Sequence, residues 1–106
     1  MSRQRVLDAA LLSAMLVALS SSVGCGGVYY AAQASAAASK LEQAKEMGAE
    51  QRAPYEYYFA REHLDKAQDE ASEGSYGDAG DLAEIAEEYA TKAITLARDA
   101  HRGAGR

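Results

Sequence analysis

AGDLAEIAEEYATKAITLARDA, residues 79–100, carries the most regular pattern in the chain. Alanines recur every seven residues, larger side chains follow them three positions later, and a further row of alanines widens the stripe. In that order, the positions are Ala79, Ala86, Ala93 and Ala100, then Leu82, Tyr89 and Leu96, then Ala83, Ala90 and Ala97. Steps of three, four and seven residues put side chains on one face of an α-helix. The segment predicts a helix whose alanine face packs closely against other helices.

A second helix is predicted just before this one. Pro54 suits the first turn of a helix, because proline lacks the N–H that would be unpaired there in any case. The predicted core positions follow at three-four spacing and are Tyr57, Ala60, Leu64, Ala67 and Ala71. Gly74 is a typical residue just beyond a helix end, and residues 75–78 match a capping box for the next helix. So short a turn makes the two helices antiparallel neighbours, which form a helical hairpin.

A first helix is predicted over residues 29–47. Its apolar or small positions are Tyr30, Ala34, Ala37, Leu41, Ala44 and Gly48. The expected fold class is all-α. A helical hairpin plus a first helix forms a small antiparallel three-helix bundle, preceded by a helical signal peptide. The helical domain is expected to span residues 29–101, with a flexible tail over residues 102–106.

Residues 1–24 have the organisation of a secretory signal peptide. Arg3 and Arg5 form a positive start, residues 9–19 are uncharged, and residues 20–24 are small. The uncharged stretch is too short to cross a bilayer, which needs about 20 residues. Cys25 follows directly and is the only cysteine, so an internal disulfide is excluded.

Ser22-Val23-Gly24-Cys25 resembles the lipobox of bacterial lipoproteins. The resemblance implies cleavage before Cys25 and attachment of acyl chains, detectable as palmitate, to that residue. Residues 25–28 would then be the lipidated cysteine and a short linker. Gly26, in place of aspartate, implies an outer-membrane anchor with the body facing the periplasm. Ser22 departs from the usual aliphatic residue, so cleavage by an ordinary signal peptidase is the alternative.

The sequence offers little for catalysis. The formal net charge of −5 argues against nucleic-acid binding, which needs a positive patch. His63 and His101 are the only histidines, and both are expected at the surface. The abundant carboxylates fall mostly off the predicted core stripe. We therefore expect no enzyme activity, no catalytic residue, no cofactor and no metal site.

Three aromatic residues point away from the predicted core of the second helix. With Tyr57, Ala60 and Leu64 facing inward, about 100° per residue turns Tyr55, Tyr58 and Phe59 outward. These three side chains are candidate contacts for an envelope protein or for another copy of the chain. The alternative is that they pack against the end of the first helix, near Met47 and Gly48.

Two further stretches of the sequence resemble known protein families. Residues 74–79 resemble the inter-helix turn of a tetratricopeptide repeat, in a single copy. Residues 53–55, 60–64, 74–79 and 82–83, with Ala67 and Ala86, are similar to a bacterial envelope domain of unknown function. That family comprises short Ala-rich lipoproteins and domains fused to OmpA-like domains.

The family resemblance supplies no catalytic residues and implies a membrane-anchored, non-enzymatic helical interaction or structural module. An acidic cation- or ligand-binding periplasmic protein and a coiled-coil spacer are the alternatives.

Overall fold

The computed structural model describes the backbone of residues 2–20 and 24–105, and the side chains within 2–15 and 26–105. Five helices account for nearly all of these residues, and none of them forms a strand. The helices are α1 Ser2–Ser20, α2 Gly24–Glu46, α3 Ala49–Arg52, α4 Pro54–Ser72 and α5 Tyr76–Ala104. The predicted all-α fold is confirmed.

α5 is the central helix of the bundle, because it packs along both α2 and α4, which contact each other less. At one end, the Cα of Gly26 in α2 lies against the Cβ of Tyr76, at the start of α5. At the other end, Met47 lines the same surface depression as His101. The two helices therefore run parallel.

α4 runs in the opposite direction. The ring of Phe59 lies against that of Tyr89, and Glu56, one turn earlier in α4, lines a groove with Thr95, further along α5. The predicted hairpin is present, with α2 packed along it. The start of α2 and the α4–α5 turn consequently share one end of the bundle.

The core consists largely of alanine. Its buried members are Ala37, Leu41, Ala44, Ala49, Ala53, Tyr57, Ala60, Leu64, Ala86, Ala90, Ala93, Ile94 and Ala97. No polar or charged side chain is buried in the described part of the chain. The alanine stripe predicted for the third helix thus forms part of the core. The positions predicted to face the core in the other two helices are all buried or half-buried.

The larger side chains of the third helix depart from the prediction. Leu96 is 44% exposed, whereas Ile94 is buried. A strict seven-residue spacing drifts by about 20° per heptad on a straight helix, so the Leu82, Tyr89 and Leu96 row leaves the core progressively. Ala100 belongs to a row with the same drift and is also exposed.

Gly74 ends α4 as predicted. Its φ of 83° is left-handed, the Gly74 amide donates to the Ala71 carbonyl at 3.0 Å, and the Ser75 amide donates to the Glu70 carbonyl at 2.9 Å. This pair of bonds defines a Schellman motif.

The predicted capping box is wrong, because Ser75 is the N-cap of α5 but its side chain caps no amide. Its ψ of 62° lies outside the extended region usual for a capping residue.

Helix boundaries also differ from expectation at three places. α2 begins at Gly24, so residues 25–28 are helical where a linker was expected, and α5 continues to Ala104 through most of the expected tail. The one-turn helix α3 was not predicted. It follows Gly48, whose φ of 76° separates it from α2.

α1 is helical over most of the expected signal peptide. Ser22 and Val23 of the lipobox lie outside the described residues, while Cys25 belongs to α2 by its backbone. None of the helices described is both long and apolar enough to cross a membrane.

Candidate functional site

The three candidate contact residues lie in the first turns of α4 and differ in exposure. Tyr55 is 65% exposed and Tyr58 is 44% exposed, whereas Phe59 is half-buried. Around the helix, Tyr55 lies between the other two, because successive residues are about 100° apart. Two of the three aromatics therefore face outward as predicted.

Phe59 instead packs towards α5. Its ring centroid is 4.1 Å from that of Tyr89 and 4.0 Å from that of His63, and Tyr55 lies 5.7 Å away on the outer side. The outward prediction is therefore wrong for Phe59, which is half-buried against Tyr89.

His63 joins this cluster and is half-buried, so its ring is more enclosed than the sequence suggested. Its ring stacks on Phe59 with an interplanar angle of 24°, and its Nδ1 donates to the Phe59 carbonyl at 2.9 Å. That bond requires the proton on Nδ1. A histidine four residues after a phenylalanine on a helix was the available sequence signal. We call Tyr55, Tyr58, Phe59, His63 and Tyr89 together the aromatic patch.

A lysine borders the aromatic patch. The Nζ of Lys92 lies 4.3 Å from the ring centroid of Tyr89 and 2.8 Å from a carboxylate oxygen of Glu88. The hydrogen bond to Glu88 raises the pKa of Lys92, so the side chain is a cation at neutral pH. Beside it, a shallow groove of about 300 Å³ is lined by Glu56, Thr91, Lys92, Thr95 and Leu96. The exposed part of Leu96 extends the apolar surface along α5.

A second group of tyrosines lies at the opposite end of the bundle. The rings of Tyr30 and Tyr76 are 6.4 Å apart, beside Gly26. Tyr29 lies over Gly80, where a Cβ would collide with its ring, and its hydroxyl donates to Glu84 at 2.8 Å. That hydrogen bond raises the pKa of Tyr29, since ionisation of the phenol would break it. Cys25 immediately precedes Gly26, so this end of the bundle carries the candidate lipidation residue.

The charged side chains form surface pairs. Glu88 pairs with Lys92 at 2.8 Å and Lys66 pairs with Glu70 at 3.4 Å, each pair four residues apart on one helix. Within residues 2–20 and 24–105, no group of three His, Cys, Asp or Glu residues has the placement needed to hold a metal ion.

Comparison with known proteins gives one match. The model of a family described as Domain of unknown function (DUF4398) matches residues 32–103. A search of curated proteins found no significant match, and neither did a search of solved structures. The matched segment begins in α2 and ends in α5, so it includes the hairpin, the core and the aromatic patch.

Proposed function

Because the chain belongs to the family described as Domain of unknown function (DUF4398), whose description carries no activity, we propose a function from its own residues. It is a membrane-anchored lipoprotein of the bacterial cell envelope, and its helical body is a non-enzymatic module that contacts another envelope protein. Cys25 carries the lipid, and the aromatic patch makes the protein contact.

The exposure of Tyr55 and Tyr58 carries this proposal. Both rings are large, and both stand on a rigid helix whose opposite face is fixed in the core by Tyr57, Ala60 and Leu64. Aromatic side chains lose little conformational entropy on binding, and they dominate the energetics of protein interfaces. On a small acidic body built of alanine, this is the surface best suited to bury area against a partner.

The composition of the aromatic patch indicates the chemistry of its partner. Phe59 lies against the ring of Tyr55, and Tyr57 lies against the ring of Tyr58, so a partner side chain meets a preformed surface. Lys92 adds a cation beside Tyr89, and this cation also pairs with the Glu88 carboxylate. Such a surface fits apolar and aromatic side chains of a folded protein, with hydrogen bonds to the two tyrosine hydroxyls at its rim.

The test compares two double variants of the lipidated protein in its own membranes. Tyr55→Ser with Tyr58→Ser removes the exposed rings and leaves the buried stripe intact. Arg61→Ser with Glu62→Ser changes two exposed residues of the same helix and leaves the net charge unchanged. We expect proteins that chemically crosslink to the native chain to be lost in the first variant and retained in the second.

Circular dichroism and sedimentation complete this test. Both variants should keep the helical spectrum of the native chain. Loss of a dimer in the first variant would identify the partner as a second copy. Unchanged crosslinking in a folded Tyr55→Ser, Tyr58→Ser protein would contradict the proposed contact.

A further inference from the structure

α2 joins Cys25 to the bundle without a flexible linker. The helix begins at Gly24 and continues unbroken to Glu46, so the backbone of Cys25 is already part of the packed body. Residues 24–30 carry no charge. An acyl chain on Cys25 would therefore fix the position of the bundle relative to a membrane, as well as tether it.

Two tyrosines lie at the level of this cysteine. Tyr76, at the start of α5, packs its Cβ against Gly26, and its side chain is 37% exposed. Tyr30 is half-buried, and its ring lies 6.4 Å from that of Tyr76. We call Gly26, Tyr30 and Tyr76, with the adjoining turn residues 74–75, the foot of the bundle.

The dimensions of a bilayer match those of the foot. Each headgroup layer is roughly 5–7 Å thick, which is half the difference between the whole bilayer and its hydrocarbon core. The five residues from Cys25 to Tyr30 rise by about 7.5 Å along an α-helix. With acyl chains in the hydrocarbon, Cys25 would lie at its boundary, and Tyr76, beside Gly26, would lie within the headgroup layer. The Cα of Tyr30 would lie at the outer edge of that layer, and its ring would reach into it, because a helical side chain leans back towards the N-terminus of its helix. Tyrosine is enriched at that depth, because its ring is apolar and its hydroxyl is polar.

Building on the proposed acylation of Cys25, we infer that Tyr30 and Tyr76 insert into the lipid headgroup layer and hold the bundle upright on the bilayer. The occupant of this surface is a zwitterionic phospholipid layer. Residues 24–39 and 67–91 contain no lysine or arginine, whereas Glu73 adjoins the turn and Asp78 and Asp81 lie in the first two turns of α5. An anionic surface would repel these carboxylates.

The upright orientation also sets the height of the aromatic patch. Since Phe59 lies opposite Tyr89, Tyr55 is about one turn further along α5, level with Ala93. The 17 residues from Tyr76 to Ala93 correspond to about 25 Å along the helix. The foot and the aromatic patch therefore face different surroundings, which makes their depths separable by experiment.

Tryptophan fluorescence measures this difference, because the chain contains no tryptophan of its own. Tyr76→Trp places a single fluorophore at the foot, and Tyr55→Trp is the matched control at the aromatic patch. Each full-length chain is expressed, purified from membranes with its acyl chains, and inserted into phosphatidylcholine vesicles whose lipids carry bromine near the headgroup. We expect loss of most of the Tyr76→Trp emission and unchanged Tyr55→Trp emission.

Mass spectrometry of the same samples separates the failure of this inference from the failure of the proposed anchor. Acylated protein with equal quenching at both positions, or with none at either, overturns the upright foot while leaving the anchor intact. A chain without acyl groups on Cys25 overturns the anchor and the foot together. Replacing half of the lipid by equally brominated phosphatidylglycerol should reduce quenching of Tyr76→Trp at low salt, and unchanged or increased quenching would contradict the zwitterionic preference.

Discussion

Alanine is the residue that decides how closely these helices approach. Ala86 and Ala93 on α5 are fully buried, as are Ala37 on α2 and Ala60 on α4. A methyl group fills little space, so neighbouring helix axes come close and leave no room for a longer side chain. The core therefore depends on small size at particular positions as much as on hydrophobicity.

Ala86→Leu tests this at a single residue. Three added carbons would overpack the contact, and we expect the free energy of unfolding to fall by about 1–3 kcal/mol. Ala100→Leu makes the same change at an exposed position of the same helix and should alter stability by less than about 0.5 kcal/mol. Urea denaturation followed by circular dichroism measures both. Equal effects at the two positions would show that the stripe is not a closely packed core.

Single residues also show where the sequence stops being informative. The three-four spacing identifies buried alanines, because rotation by about 100° per residue is common to every α-helix. It does not identify Ile94 as buried or Phe59 as half-buried, since each depends on which flank of its helix a neighbour covers. That information lies in the packing of α4 and α5 against each other and is absent from either helix alone.

At the scale of the element, one glycine sets the hairpin. Gly74 supplies the left-handed conformation that ends α4, and the bonds to Glu70 and Ala71 close the turn before α5 begins. Ser75 adds no side-chain cap. The turn is therefore specified by backbone conformation, which is why its glycine could be predicted and its supposed capping box was wrong.

Gly74→Ala and Gly77→Ala form a matched pair with opposite expected signs. Alanine at Gly74 must adopt a φ of 83°, and we expect a loss of about 1 kcal/mol. Gly77 lies inside α5 with open space around its Cα, so alanine there should add about 0.5–1 kcal/mol. Thermal and urea unfolding of the two variants check both signs. Stabilisation by Gly74→Ala would contradict the role of the left-handed turn.

Helix α2 shows how tertiary packing overrides local preference. Three of its first four residues are glycines, which are poor helix formers, and the sequence therefore predicts a linker there. Gly26 lies directly against Tyr76, however, in a gap that even a methyl group would fill tightly. Gly26 and Tyr76 are 50 positions apart in the sequence, so no local sequence pattern predicts their contact.

At the scale of the whole molecule, the proposal depends on attachment to a membrane. Cys25→Ser should abolish incorporation of labelled palmitate and release the protein from the membrane fraction, because acyl chains would supply the anchoring energy. Ser39→Ala, at an exposed residue of α2, is the control and should leave both properties unchanged. A Cys25→Ser protein that still fractionates with membranes would exclude the lipoprotein assignment.

The general architecture was the most predictable property of the chain. Three amphipathic segments separated by Pro54 and Gly74 leave few arrangements other than an up-down-up bundle, and the structure has that arrangement. The aromatic patch was predictable only in part. Tyr55, Tyr58 and the stacking of His63 on Phe59 follow from spacing along a single helix, whereas Tyr89 joins through a contact between α4 and α5.

The alanine core has a thermodynamic consequence. Alanine has no rotamers to restrict, so its burial costs no side-chain conformational entropy, unlike the burial of leucine or methionine. Each alanine also removes little apolar surface from water, which limits the heat-capacity change on unfolding. A bundle assembled in this way loses little side-chain disorder on folding, although its backbone is ordered at the usual entropic cost. Its small heat-capacity change gives a curve of stability against temperature with low curvature.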